Sequence, residues 1–392
     1  MEKLNFETPK MLKQYLWGAI AIGMIVSLIS YFHTPTRFWV NLVINNFYFT
    51  GMALSGLFFL SLQNLTKSSW MRAYQRVPEA MMGYLPIALV LVLIGLFGSH
   101  TIYEWTHLDV VKNDEILIKK IGYLNMPFFV TRILIYFSIW MSFAFVLKKL
   151  MNKYHQKNGA LVSDQLSVVS AISMVFFALT FSFFSYDLLM SIEPHWFSTI
   201  YSVYTFSGMF VGGVAFITLS LIILHYLGYL KDYVSINHFH DLGKWMFGMS
   251  TFWAYIWFCQ YMLIWYSNIP EETQYYILRD HGNWKWLFWT NFVIAFVIPF
   301  FCLLTRNSKR NLLNLAFVSI VILVSRWVDL YTLVAPKIYE HHHIDAIIGP
   351  YEIISALLFS ALFVLIFLKM LSTKSLIIKD DPYFEEGVHL EQ

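Results

Sequence analysis

Residues 80–103 read AMMGYLPIALVLVLIGLFGSHTIY, a stretch without Asp, Glu, Lys or Arg. An α-helix needs about 20 apolar residues to cross the hydrocarbon core of a bilayer, so this stretch is long enough to span one. Similar stretches recur along the whole chain of 392 residues, of which 58% are hydrophobic and 13% charged. A soluble protein has about a quarter of its residues charged. The composition therefore predicts a protein that folds in lipid.

The charge-free stretches, extended by a few polar neighbours where they are short, predict an all-α polytopic membrane protein with about ten transmembrane helices. The predicted spans are 14–33, 38–62, 78–98, 127–148, 166–189, 201–225, 246–267, 286–305, 312–334 and 351–371. Residues 1–392 then form a single membrane domain. We expect 372–392 to be a cytoplasmic tail, whose short acidic part after Lys379 is a solvated end.

The distribution of basic residues predicts the orientation. We call the membrane face on which the first span begins side A, and the opposite face side B. Eighteen of the 27 Lys and Arg residues lie on side A, eight lie on side B, and Arg326 lies within a span. Short loops follow the positive-inside rule, so side A is predicted to be cytoplasmic and side B periplasmic. We thus expect a multi-pass protein of the bacterial inner membrane with both termini in the cytoplasm.

The clearest intramembrane charges lie in SRWVD, residues 325–329. Arg326 and Asp329 are three positions apart and hence neighbours on one helix face. A rise of about 1.5 Å per residue puts Arg326 about 12 Å from the side-B end of its predicted span. Because charge inside hydrocarbon is costly, the pair is either a self-neutralising lock between helices or the charged wall of a buried pocket.

Other ionisable residues cluster at the side-B ends of the predicted spans. They are His100, Glu104, His107, Arg132, Asp187, Glu193, His195 and Glu352. The half of the membrane on side A has no comparable set and offers neutral groups such as Asn45, Gln260 and Asn291. Each charged residue alone is typical of a membrane interface, but together they predict one shared recess that opens to side B.

An amphipathic quinol suits such a recess, because its oxidation releases two protons that carboxylates and histidines can accept. The candidates for a proton path or quinol pocket are Asp187, Glu193, His195, Arg326 and Asp329. The candidates for holding the quinol or menaquinol itself are His100, Glu104 and His107. The sequence lacks a CxxCH haem motif and an iron–sulfur cysteine cluster, so electrons from quinol would pass to a partner protein. We predict no metal site, and we interpret His341–His343 as a solvated loop.

Four long segments resemble the membrane subunits of alternative complex III, the bacterial quinol:cytochrome c oxidoreductase, within the broader NrfD/PsrC-like family. They are HTIYEWTHLD (100–109), SYDLLMSIEPHWFSTIYSVY (185–204), HDLGKWMFGMSTFWAYIWFCQYMLIWYSNIPEET (240–273) and SRWVDLYTLVAP (325–336). Length and span number are most similar to the smaller of the two related membrane subunits. The resemblance implies two four-helix bundles, spans two to five and six to nine, flanked by spans one and ten.

The resemblance also implies the partners of the chain. They would be a second NrfD-like membrane subunit, a multihaem cytochrome c, a monohaem cytochrome c, a large iron–sulfur subunit, and small membrane or lipoprotein subunits. The extrinsic subunits would dock on side B, and haem and iron–sulfur centres would lie only in partners. A net charge of +3 and the lack of a basic run among aromatics give no indication of nucleic-acid binding.

Three alternatives to a quinol pocket follow from the sequence. A purely structural scaffold would use the buried charges to hold helices together and to anchor the extrinsic subunits. An independent transporter would keep its ion site near the midplane. A proton path from side A would use neutral groups such as Asn45, Tyr204, Gln260, Tyr261 and Asn291, although such groups more often hydrogen-bond between helices.

Overall fold

A computed structural model describes residues 6–154, 159–344, 348–378 and 383–390. Ten long helices account for most of these residues, and the described part of the chain contains no β-strand. The helices are α1 Lys10–His33, α2 Pro35–Leu65, α3 Arg76–Ile102, α4 Met126–Tyr154, α5 Gly159–Leu188, α6 Tyr201–Tyr226, α7 Ile236–Ser267, α8 Gly282–Cys302, α9 Leu312–His341 and α10 Pro350–Leu371. Each predicted span overlaps one of these helices.

Nine of the ten helices are apolar and long enough to cross a membrane, as judged over the described residues. The remaining helix, α7, has 32 residues but is less aliphatic, because it begins with His238, His240 and Asp241 and then carries many Trp and Tyr side chains. The prediction of an all-α polytopic membrane protein is confirmed.

Short helices lie in the loops that connect the long helices and in the C-terminal tail. On side B they are Glu104–Thr106, Leu108–Asn113, Glu115–Lys120, Met190–Ile192 and Pro270–Arg279. On side A they are Trp70–Ala73, Ser308–Arg310 and Phe384–Val388. Two long helices are irregular: α3 contains 3₁₀ turns at Met82–Tyr84 and Leu96–Gly98, and α8 contains a π-helical turn at Val293–Val297.

The helices form two bundles that meet at α2 and α6. One bundle contains α2, α3, α4 and α5, the other contains α6, α7, α8 and α9, and α1 packs mainly on α10 at the edge. The bundles meet where α2 and α6 run in contact, and a Cβ atom on Gly213 would lie 2.0 Å from the Cβ of Ser55. A glycine is therefore required there for the two backbones to approach.

The C-terminal tail is docked, which corrects the expectation of a solvated end after Lys379. Helix Phe384–Val388 packs on Trp70–Ala73, and the Phe384 side chain is buried. The carbonyl of Gly387 lies 2.9 Å from Nε2 of His238 at the start of α7. The described part of the tail therefore joins the side-A ends of both bundles.

Candidate functional site

The first buried ion pair, Arg132–Asp187, lies inside the first bundle. Arg132 on α4 donates from Nε and Nη2 to the two carboxylate oxygens of Asp187 on α5, each at 2.9 Å. The hydroxyl of Tyr136 donates to the same carboxylate at 2.9 Å, and the third Arg132 nitrogen donates to the Tyr123 carbonyl at 2.9 Å. Bidentate geometry with satisfied donors is what a buried ion pair needs to offset its desolvation. The pair joins α4 to α5.

A second pair, Arg279–Glu193, closes the side-B end of the second bundle. The Nη2 atom of Arg279 lies 2.6 Å from the Glu193 carboxylate. Arg279 also donates to the carbonyls of Thr332 at 2.9 Å and Leu333 at 2.8 Å on α9. Pro336 has no N–H, so it leaves the Thr332 carbonyl without its usual helical donor. Arg279 replaces that donor, which allows α9 to continue past the proline.

His195 lies outside the bundles and joins two side-B loops. Its Nε2 lies 2.5 Å from a carboxylate oxygen of Asp114, and its Nδ1 lies 4.0 Å from Glu104. The backbone N–H of Leu117 and the hydrogen bond to His195 lower the pKa of Asp114. Since the His195 side chain is 42% exposed, this contact is an ordinary interfacial one.

The three residues predicted to hold quinol line one cavity at side B. His100, Glu104 and His107 border a space of about 150 Å³. Apolar walls and further polar groups complete the lining, with Thr101, Ile102, Val110, Ile192, Lys337, Ile338, His341 and His342. The Nδ1 atom of His100 lies 3.1 Å from the hydroxyl of Thr106, and His107 contacts the His100 carbonyl at 2.6 Å. The cavity combines apolar surface with several proton acceptors.

The third ion pair, Arg326–Asp329, lies deeper than the sequence predicts. Helix α9 continues to His341 rather than ending at 334, which places Arg326 fifteen residues, about 22 Å, from its side-B end. A contact with the neighbouring α2 agrees with this depth. Tyr48 lies near the middle of α2, and its hydroxyl donates to the carbonyl of Leu323, one turn from Arg326. The pair is therefore at mid-helix, and the expected distance of about 12 Å is wrong.

Three donors from three other helices surround the Asp329 carboxylate. The hydroxyl of Tyr204 on α6 donates at 2.5 Å, Nε1 of Trp253 on α7 at 3.2 Å, and Nδ2 of Asn291 on α8 at 3.2 Å. Asn291 lies two residues before the π-helical turn of α8. Such turns occur frequently at functional sites. The carboxylate is thus held at the centre of the second bundle.

Arg326 is less well satisfied than its partner. Its Nη1 is 3.7 Å from Asp329, and its guanidinium carbon lies 3.6 Å from the centroid of the Trp253 ring. All three guanidinium nitrogens lack a hydrogen-bond acceptor among the described residues, although the side chain is 3% exposed. Gly208 and Gly212, a GxxxG pair on α6, leave the room that the Arg326 stem occupies. A buried guanidinium without acceptors points to a polar occupant.

A small cavity next to Arg326 can hold such an occupant. It measures about 20 Å³, which is enough for about one water molecule. Its lining comprises Phe47, Tyr48, Gly51, Met52, Thr205, Gly208, Met209, Arg326, Asp329, Leu330 and Leu333. The site can therefore place water between a carboxylate and a guanidinium in the middle of the membrane.

Side A also carries buried charges, contrary to the expectation from the sequence. Arg72, Glu79, Asp241 and Lys309 are each at most 8% exposed. Glu79 lies within 4 Å of three cations, those of Arg76, Lys148 and Lys374. Lys309 donates to the last carbonyls of α8, at Leu303 and Leu304. The charged residues are thus present at both ends of the helices and in the middle.

The structure therefore separates most of the predicted site residues. Asp187 lies in the first bundle, Glu193 pairs with Arg279, and His195 makes a loop contact. His100, Glu104 and His107 share one cavity, and Arg326 and Asp329 share another. The sequence did not predict the roles of Arg279 and Trp253. In the sequence Arg279 is only a basic residue of a loop, and Trp253 is only one of many aromatic residues within a predicted span. Among the described residues, no group of three or more His, Cys, Asp or Glu side chains is arranged to hold a metal ion.

Comparisons with known proteins do not extend this description. No protein-family model matches the sequence, and no curated protein matches it. The function is therefore argued from the site geometry and from the resemblance of the four segments.

Proposed function

We propose that the chain is a membrane subunit of a quinol:cytochrome c oxidoreductase of the alternative complex III type. In this proposal it binds quinol or menaquinol near a periplasmic side B, guides protons, and anchors extrinsic haem and iron–sulfur subunits. A second NrfD-like subunit and two cytochromes c would complete the electron path. The membrane would be the bacterial inner membrane, with both termini in the cytoplasm.

The observation that supports this proposal is the side-B cavity around His100, Glu104 and His107. Its volume of about 150 Å³ and its mixed lining suit an aromatic ring that carries two hydroxyl groups. Oxidation of a quinol to a quinone releases two protons and two electrons. Imidazole and carboxylate groups at the cavity would accept the protons, and the electrons would leave to a haem or iron–sulfur centre of a partner.

The test is the steady-state kinetics of the assembled complex with a Glu104→Gln variant. We expect the rate of quinol:cytochrome c reduction to fall about tenfold or more, because a proton acceptor is lost without a change of size. Asp109→Asn is the matched control, since Asp109 is an exposed carboxylate nearby that does not line the cavity. Equal kinetics for wild type and both variants would overturn the quinol site.

A second candidate role, proton transfer through the second bundle, is favoured by the unbonded nitrogens of Arg326. Water in the adjacent cavity would connect Asp329 to Arg326, and Tyr204 and Asn291 donate directly to the Asp329 carboxylate. Asn291→Leu would remove a donor to Asp329 and change the polarity of this route. We expect fewer protons moved per electron in vesicles containing the assembled complex, and an unchanged ratio would count against the route.

A scaffold role predicts a different outcome. If the buried charges serve packing alone, each variant should lower the yield of assembled complex while the turnover per assembled complex stays constant. Haem content per purified chain measures assembly separately from activity. The two roles are therefore distinguishable in one preparation.

A further inference from the structure

A groove opens at side A between α7 and the turn that follows α2. Its lining is Trp70, Asp241, Lys244, Trp245, Gly248 and Met249, and it encloses about 360 Å³. Of these residues, only Asp241 is among the buried charges described above. The groove therefore needs an explanation of its own.

The lining changes from charged to apolar with depth. Asp241 and Lys244 lie in the first turns of α7, with the Lys244 Nζ 2.5 Å from the Asp241 carboxylate. Gly248 lies seven residues beyond Asp241, about 10 Å deeper along the helix. A Cβ atom at Gly248 would have no other atom within 4 Å, so the groove is open there. One end thus suits a polar group at the interface, and the other suits hydrocarbon.

An aromatic seam continues from this groove into the membrane. The ring centroid of Trp245 lies 5.7 Å from that of Phe210, which lies 5.0 Å from that of Phe58. Phe58 in turn contacts Phe177 at 5.2 Å. These last two line a second cavity of about 300 Å³ with Met174, Ala178, Phe181, Ser182, Ser202, Val203 and Phe206. The buried ring of Phe210 fills the space between the two cavities, so they are separate.

We propose that this side-A groove binds one phospholipid whose head group carries a primary ammonium, such as phosphatidylethanolamine. The ammonium would contact Asp241, with the faces of Trp70 and Trp245 close by, and the phosphate would contact Lys244. An acyl chain would pass Gly248 and lie along the exposed side chains of Phe252 and Tyr255 on the same face of α7. The adjacent opposite charges on α7 match the adjacent opposite charges of this head group. An anionic lipid without an ammonium leaves Asp241 facing a phosphate.

The first test measures lipid selectivity of the full chain. The chain is reconstituted in vesicles of equal phosphatidylethanolamine and phosphatidylglycerol, extracted in mild detergent, and examined by native mass spectrometry. We expect retained phosphatidylethanolamine to exceed phosphatidylglycerol, and Asp241→Asn to lower its retention about tenfold, equivalent to about 1.4 kcal/mol. Asp164→Asn is the control, because Asp164 is an exposed side-A carboxylate that also pairs with a lysine. Equal retention of both lipids by wild type would overturn the proposal.

The second test blocks the groove without removing a charge. Gly248→Phe would fill the open space and lower phosphatidylethanolamine retention to a similar extent. Gly18→Phe is the matched control, because a Cβ at Gly18 on α1 also has no neighbour within 4 Å. Retention unchanged by Gly248→Phe, or a quinone found in place of the phospholipid, would contradict the assignment. Thermal unfolding of each variant shows whether it is folded.

Discussion

The two bundles each bury an arginine–aspartate pair, and the pairs differ in how well they are satisfied. In the first bundle Arg132 and Asp187 form two hydrogen bonds of 2.9 Å across two helices. In the second bundle Arg326 and Asp329 lie on the same helix, and their closest charged atoms are 3.7 Å apart. A satisfied pair stabilises packing, whereas a loose pair beside a cavity can exchange partners with water. Residue type alone therefore does not distinguish a lock from a reactive site.

The difference predicts unequal costs when each arginine is removed, and this is the largest effect that we expect on stability. Arg132→Met leaves Asp187 buried without its cation, so we expect the free energy of unfolding to fall by about 3–5 kcal/mol. Arg326→Met leaves Asp329 with its three donors from other helices, so we expect a loss of under about 1 kcal/mol. Thermal unfolding of both variants in the same detergent measures the contrast. Equal losses would show that the two pairs contribute equally to the free energy of unfolding, which would contradict this contrast.

The Arg279–Glu193 pair extends the comparison. In the second bundle we expect Arg279, and not Arg326, to contribute most to stability. Arg279→Met leaves the carbonyl of Thr332 without its donor and Glu193 without its cation, and we expect a loss of about 2–3 kcal/mol. Pro336→Ala restores a backbone N–H that can bond to Thr332. The Arg279→Met variant should therefore cost less in the Pro336→Ala background. Strictly additive effects in the double variant would contradict this explanation of how α9 passes the proline.

The Asp114–His195 contact provides the smallest expected effect and a baseline for an ion pair outside the membrane. Because the folded state lowers the pKa of Asp114, its contribution is present above the pKa of the unfolded chain and is lost as pH falls through the lower folded value. Wild type and Asp114→Asn should differ slightly in thermal stability at neutral pH and converge in acid. Asp109→Asn is the exposed control, and a difference that grows in acid would have the wrong sign.

The sequence predicted the helices well because each must be apolar over a length that the bilayer fixes. It placed their ends less well where polar residues continue a helix. Helix α7 begins at Ile236 rather than 246, although its first turns contain Asp241 and Lys244. Helix α9 passes Pro336 only because Arg279, distant in sequence, supplies the missing donor. Such compensation becomes visible only in three dimensions.

The site was predicted only in part, because pairing depends on long-range packing. Arg132 and Asp187 are 55 residues apart, and Arg279 and Glu193 are 86 apart. A pattern of charges at helix ends cannot show which of them face each other. It could suggest the Arg326–Asp329 pair, since three positions along a helix fix that neighbourhood. His100, Glu104 and His107 were likewise close in sequence, and they do share a cavity.

Under the proposed function, the most direct test of the contrast between the bundles is the quinol:cytochrome c turnover per assembled complex of Asp329→Asn and Asp187→Asn. Both substitutions remove a buried negative charge with little change of shape. We predict that Asp329→Asn assembles normally and loses at least about tenfold in turnover, because a proton carrier is lost. Asp187→Asn should assemble poorly but keep the turnover of wild type in each assembled complex. Full turnover in Asp329→Asn would contradict a role for the second bundle in proton transfer.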